Sequence, residues 1–186
     1  TEAPTEKAKP TGAAAAQTTE TIETYPLNEP YAYANIVKNT TRGNITYRVE
    51  EPKLDKTDTQ NLQRLTTILN EVLELKTTEL KSKKAAGEYL LKKCDEILTH
   101  YNFKLSPETK NKLLYYVVRD NLGLGKIDPF MHDPLIEDIS CDGINVPVYV
   151  WHRKYESIPT NIRFETAEEL DDYALRLAYL CGSHVS

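Results

Sequence analysis

The stretch LGLGKIDPFMHDPLIEDISCDG, Leu122–Gly143, holds three glycines, a lysine, a histidine, five acids and a cysteine. These residue types are compatible with three chemistries. Gly123, Gly125 and Lys126 carry the elements of a phosphate cradle. His132, Asp133, Glu137, Asp138, Cys141 and Asp142, with His152 just beyond, include every common metal-ligating type. Glu137 and Asp138 are paired carboxylates of the kind used for general acid and base work.

Spacing decides against each of them. A phosphate loop needs two glycines four residues apart, then Lys and Ser or Thr, after a strand and before a helix. Here Gly123 and Gly125 follow a helical pattern, and Lys126 precedes Ile127. A glycine ending a helix in the left-handed conformation accounts for Gly123 more simply. The possible metal ligands show neither the HExxH nor the CxxC spacing that brings side chains together on one element. Asp133-Pro134 reads instead as a helix start, with Asp as N-cap and Pro at the first position. Glu137 and Asp138 then fall on one short turn around Leu135, Ile136 and Ile139, and adjacent helical residues do not face each other. Asp142-Gly143 is a turn dipeptide. No catalytic, cofactor-binding or metal-ligating residue is assigned, and the stretch reads as a joint between elements.

The elements around the joint follow from periodicity. Residues 1–24 are rich in Thr, Ala, Glu, Lys and Pro, and Pro4–Thr21 contains no large apolar side chain, which predicts a disordered tail or linker. Tyr31–Val37 and Ile45–Val49 flank a polar stretch with Gly43 and read as a hairpin. Leu62, Leu65, Ile68, Leu69, Val72, Leu73 and Leu80 recur at helical spacing over 58–80. Tyr89, Leu90, Cys94, Ile97, Leu98 and Tyr101 do so over about 85–101. The two helices flank an exposed polar KTTELKSKK loop (76–84), and the pair over about 58–101 is expected to be a docking surface as well as a packing unit. Ser106-Pro107 starts a third helix, to about 122. Two strands, about 146–152 and 156–164, lead to a final helix opened by the capping box Thr166-x-x-Glu169. Val148 and Val150 alternate with Tyr149 and Trp151, so one of these pairs faces a core.

Composition narrows the function. The chain has 186 residues, 40% hydrophobic and 27% charged, as soluble globular proteins do. Its 23 basic and 28 acidic residues give a net charge of −5, against a general nucleic-acid binder. Cys94, Cys141 and Cys181 are sparse and odd in number, which fits free thiols in a reducing compartment. No apolar run approaches the ~20 residues that cross a bilayer. The sequence TEAPTEKAKPTGAAAAQTTE lacks the apolar core of a signal peptide. A cytosolic protein is expected.

Gly123-x-Gly125-x-Ile127-Asp128, Asp133-Pro134-x-Ile136-Glu137-Asp138-Ile139, Asp142-Gly143, Pro147-Val148-Tyr149-Val150-x-His152, Tyr155 and Thr160-Asn161-x-x-Phe164 follow in order. With YPLNEPYAYANI and YRVEEPKL upstream, this pattern resembles the N-terminal region of the type II/IV secretion ATPases, most closely their archaeal branch. The resemblance runs from about Tyr25 to Ser186 and is dense over 120–165. It implies the N-terminal coupling region of a hexameric motor that drives a pilus, an archaellum or protein secretion. ATP and Mg would belong to a motor domain of the parent protein, with no cofactor in this chain. Its own motor domain, neighbouring subunits of a homohexamer and a membrane platform protein would be its partners, without nucleic acid. It would sit at the cytoplasmic face of the membrane. The chain would be a piece of a longer protein and not catalytic alone, since it has no Walker A or Walker B sequence. Arg163 and Arg176 are arginines that the resemblance does not align to nucleotide contacts. The expected fold class is α+β: an N-terminal hairpin with a helical bundle over 25–104, then part of a small α/β, PAS-like domain over 105–186. A free-standing, non-enzymatic adaptor of the same fold remains the alternative.

Overall fold

The computed structural model of the chain describes residues 19–73, 82–180 and 182. Strands β1 (Thr19–Asn28), β2 (Ala32–Asn39) and β3 (Ile45–Glu50) form an antiparallel meander. Helices α1 (Lys56–Val72), α2 (Lys83–His100) and α3 (Pro107–Asn121) follow, then a 3-10 helix, Gly125–His132. Strands β4 (Ile136–Ser140), β5 (Pro147–His152) and β6 (Glu156–Arg163) and helix α4 (Ala167–Leu180) complete the α+β fold.

All six strands belong to one mixed sheet, ordered β1-β2-β3-β6-β5-β4. Its centre is a short parallel seam, where Tyr47 stands opposite Thr160. A side chain extends this seam. The Asn161 amide accepts from the Val49 N–H at 2.8 Å and donates to the Val49 carbonyl at 2.9 Å, as a backbone unit would. The strands therefore come from both ends of the chain, and α1–α3 are inserted between them.

Burial divides into two cores. Ala34, Ile36, Tyr47, Val49, Val148, Val150 and Ile158 on the sheet pack around Phe130 of the 3-10 helix and Phe164. Leu65, Leu69, Leu90, Cys94, Ile97, Leu98, Leu113 and Val117 fill the space among α1, α2 and α3. Burial pushes the Cys94 thiol up to about 11, so it packs as a small apolar group. Each helix of that bundle starts on a side-chain cap. Asp55, Ser82 and Ser106 accept from the N–H groups of Asp58, Ala85 and Thr109. Thr166 caps the Glu169 N–H as expected, but the Glu169 carboxylate bonds the Glu165 N–H rather than that of Thr166.

Four readings of the sequence need correction. The tail expected over 1–24 gives way to strand at Thr19. The N-terminal half of β1 is exposed and polar and gains its order by pairing with β2, which no hydrophobic period announces. α1 begins at Lys56 rather than 58, because Asp55 is the cap. Residues 74–81, with most of the polar loop of the expected docking surface and the expected end of that helix, lie outside the described residues, as do Cys181 and residues 1–18. The short helix expected after Asp133-Pro134 is a turn leading into β4. A bulge between Ile136 and Asp138 sets two residues against one on β5 and returns Ile139 to the side of Ile136. That three-residue recurrence imitates a helix. Finally, the left-handed residue after α3 is Gly125, φ +58°, and not Gly123.

Gly123 is required for another reason. A β-carbon there would lie 2.3 Å from Asp128 Oδ1 and 2.7 Å from the Arg119 carbonyl oxygen. Asp128 cannot withdraw freely, since the same Oδ1 accepts the Leu124 N–H at 2.8 Å. Gly123→Ala is expected to destabilise the chain by about 1–3 kcal/mol, the usual cost of overpacking. A urea titration against Gly87→Ala measures it, because a β-carbon at Gly87 meets only Leu122 at an ordinary 3.8 Å.

Candidate functional site

The sequence LGLGKIDPFMHDPLIEDISCDG is a joint fastened at both ends. At the α3 end, Arg119 reaches across to Glu51, which follows β3. Its Nη1 donates to both carboxylate oxygens, at 2.8 and 2.7 Å, and its Nε donates to Asp120 at 2.7 Å. Both partners of the Arg119–Glu51 pair are largely buried, at 11% and 13% side-chain exposure, which shields the pair from water and salt. Burial opposes the guanidinium charge, but Asp120 and Glu51 outweigh it and hold Arg119 above its ordinary value. The Tyr115 hydroxyl donates to Glu51 at 2.6 Å, and the Tyr116 hydroxyl to the Pro52 carbonyl at 2.7 Å. Tyr31 stacks on Tyr115, and Arg119 lies over the Tyr116 ring. From α4, Arg176 donates to the carbonyls of Asp120 and Gly123. Both accept near the C-terminal end of α3, where carbonyls lack intrahelical partners.

At the other end, Asp133 is 4% exposed and ties three segments together. Its Oδ2 accepts from the hydroxyls of Tyr25 on β1 and Tyr47 on β3, each at 2.7 Å. Its Oδ1 accepts the Leu135 N–H at 2.8 Å and shapes the turn into β4. His152 of β5 is fully buried, with Nε2 at 3.3 Å from the Tyr25 hydroxyl. Its Nδ1 accepts the Lys154 N–H at 3.1 Å, which leaves the proton of the neutral ring on Nε2. The bonds run in one direction, from His152 through Tyr25 to Asp133, with Tyr47 joining at the carboxylate. Burial, then the bond to Asp133, raises the phenols of Tyr25 and Tyr47 well above their ordinary value. Burial lowers the His152 imidazole, with Asp133 opposing.

The remaining candidates are scattered. Lys126 pairs with Glu169 and donates to the Arg163 carbonyl at 3.3 Å, so its ammonium is engaged within the fold. His132 is exposed and lies 3.2 Å from Asp128. Glu137 pairs with Arg153 at 2.9 Å. Asp138 stands opposite Trp151 in the β4–β5 register and is exposed. Asp142 accepts from the Ser140 hydroxyl, and Cys141 is exposed. Among the described residues, no group of three or more His, Cys, Asp or Glu side chains gathers as a metal-binding set. Of all the ligand candidates, only Asp133 and His152 converge, and they do so through Tyr25. Tyr25, Tyr47, Glu51 and Arg119 were not singled out from the sequence. For His152 a signal existed, since the alternation that buries Val148 and Val150 buries position 152 too.

The joint thus engages Asp128, Asp133 and Lys126 within the fold, and what it can do is hold the bundle, the sheet and α4 in fixed relation. Among the described residues, no helix is long and apolar enough to cross a membrane. No protein-family model matches the chain. It is similar to proteins of the archaeon Methanocaldococcus jannaschii. Uncharacterized protein MJ1288 is 40% identical over 140 residues, 75% of this chain and 55% of the relative. Uncharacterized protein MJ0900 is 30% identical over 183 residues, 87% of this chain and 32% of the relative. Uncharacterized protein MJ0781 is 28% identical over 152 residues, 79% of this chain and 19% of the relative. The chain spans about half the length of the first and a third or less of the others.

Proposed function

We propose that this chain is the N-terminal interaction and coupling region of a secretion-type motor ATPase, the reading that its sequence pattern suggests. The observation that carries it is the joint fastened at both ends. A region that passes force from a motor to a membrane partner must move as one body. Arg119–Glu51, Arg176 and the Asp133 cluster oppose bending between bundle and sheet. Similar sequence also recurs in relatives of which it fills shares from 55% down to 19%, as expected of a module joined to other parts. On this reading, ATP and Mg act in a motor domain of the parent. The partners are that domain, neighbouring subunits of a homohexamer and a membrane platform protein at the cytoplasmic face.

One observation favours the second reading, a free-standing adaptor of the same fold. In MJ1288 the match fills 55% of the relative, so less chain lies outside it than inside. Deleting residues 19–180 from the full-length protein separates the two. The coupling reading expects magnesium-dependent ATP hydrolysis and ring assembly to survive while filament assembly or secretion is lost. A deleted protein that still powers its machine overturns coupling. A full-length protein without ATPase activity establishes the adaptor in its place.

A further inference from the structure

β1 lies at one edge of the sheet, paired on one side only as β4 is at the other, and most of its N-terminal half is exposed. Its attachment to the rest of the fold beyond β2 passes through a few side chains. Leu27 packs on the sheet core, Tyr25 bonds Asp133 and meets His152, and Glu23 pairs with Lys154 of the β5–β6 turn. Three of these contacts converge on one titratable ring. His152 faces Tyr25 and Glu23 from β1, Tyr47 from β3, and Asp133 from the turn before β4. From its own turn it faces Lys154 and Tyr155, whose ring is 5.0 Å away.

We propose that β1 is an acid-released latch, opened when His152 takes up a proton. In the closed state His152 Nδ1 accepts the Lys154 N–H, so a proton placed there sets two donors against each other. The new N–H loses the bond that fixes the β5–β6 turn, and that turn carries Lys154, the partner of Glu23. The added charge is enclosed, because the ring is shut off from the protein surface, and Asp133 reaches it only through Tyr25. Release of β1 opens the ring to solvent and relieves each of these costs. β5 cannot leave in its stead, because it is paired on both sides by β4 and β6.

The direction of the pH dependence follows from linkage. The closed state holds His152 below its ordinary 6.5, through burial first. The open state restores an exposed imidazole at about 6.5. Below that value the open state binds the proton first, so opening grows as pH falls until the closed-state value is reached. One proton gives an increase of up to about tenfold per pH unit. The effect fades as pH rises past about 7. It begins above the ordinary carboxylate range of about 4, so the loss of the Glu23–Lys154 pair in stronger acid is a separate event.

Amide hydrogen exchange, followed by NMR on the 186-residue chain between pH 5 and 7.5 and corrected for intrinsic rates, tests the latch. The expected result is that β1 amides bonded to β2 lose protection by up to about tenfold per pH unit below 6.5, while β5 and β6 amides do not. His152→Gln keeps a donor toward Tyr25 but cannot titrate, and should abolish the slope. Protection of β1 that does not change with pH, or an equal slope in His152→Gln, overturns the proposal. If the variant does not fold, the wild-type imidazole decides. Titration of His152 below 6.5, together with β1 amide shifts, supports the latch, and titration at or above 6.5 with β1 unmoved refutes it.

Discussion

Asp133→Ala is expected to lower the stability of the chain by about 3–6 kcal/mol, the sum of several unsatisfied buried groups. The carboxylate is the acceptor for the Tyr25 and Tyr47 hydroxyls and the Leu135 N–H. Removing it leaves donors without a partner in a space that an alanine does not fill. Tyr47 is fully buried, so its hydroxyl has no water to turn to. A guanidinium titration, with Asp138→Ala as the exposed control, measures the difference. Asp133→Asn should fall between the two, since one oxygen remains but the amide nitrogen confronts a donor. Equal midpoints for Asp133→Ala and Asp138→Ala would show that the cluster carries no stability.

The second large effect is alkaline. Burial raises the phenols of Tyr47 and Tyr115 far above their ordinary 10.0, with Asp133 and Glu51 adding to the shift. Burial also pushes Tyr116 and Tyr173 up to about 12. Above pH 10 the unfolded chain releases these protons and the folded chain keeps them. The unfolded state therefore binds fewer protons, and stability falls as pH rises. Tyr47 and Tyr115 alone give a slope that approaches roughly 3 kcal/mol per pH unit. Thermal melting from pH 8 to 11.5 should show a plateau to about 9.5 and a steep fall beyond 10. Tyr47→Phe should make that fall shallower. A Tyr47→Phe variant whose stability falls as steeply as the wild type's above pH 10 would contradict the assigned burial.

The helices and the β5–β6 pair were legible in the sequence because their signals are local. Leu65 and Leu69 recur at helical spacing, Ser106-Pro107 announces a helix start, and Val148 and Val150 alternate. β4 was misread because a bulge changed the period from two to three between Ile136 and Ile139. β1 was missed as a whole, because its exposed N-terminal half leaves no apolar trace and only Tyr25 and Leu27 mark the rest. The joint itself was recognised as a joint, but its fastenings were not. Tyr25 meets Asp133 across 108 positions and Arg119 meets Glu51 across 68, and a single sequence holds no record of such pairings. Gly123 was noticed for the right residue type and explained by the wrong cause. A glycine is required there because neighbouring atoms leave no room for a side chain, not because the backbone turns left-handed.

The parallel seam between β3 and β6 has a consequence for how the chain is made. Val49 cannot meet Asn161 until 112 further residues have been synthesised. At ribosomal rates of 5–20 residues per second, that is a wait of roughly 6–22 s. The bundle of α1–α3 rests on local contacts and can form within that interval, while the distant seam pays for closing a long loop. Throughout, β1–β3 emerge with the inner edge of β3 bare, and an open strand edge is a template for pairing with another nascent chain. The vulnerable species in the life of this protein is therefore the half-made chain, and its sheet becomes safe only when β6 arrives.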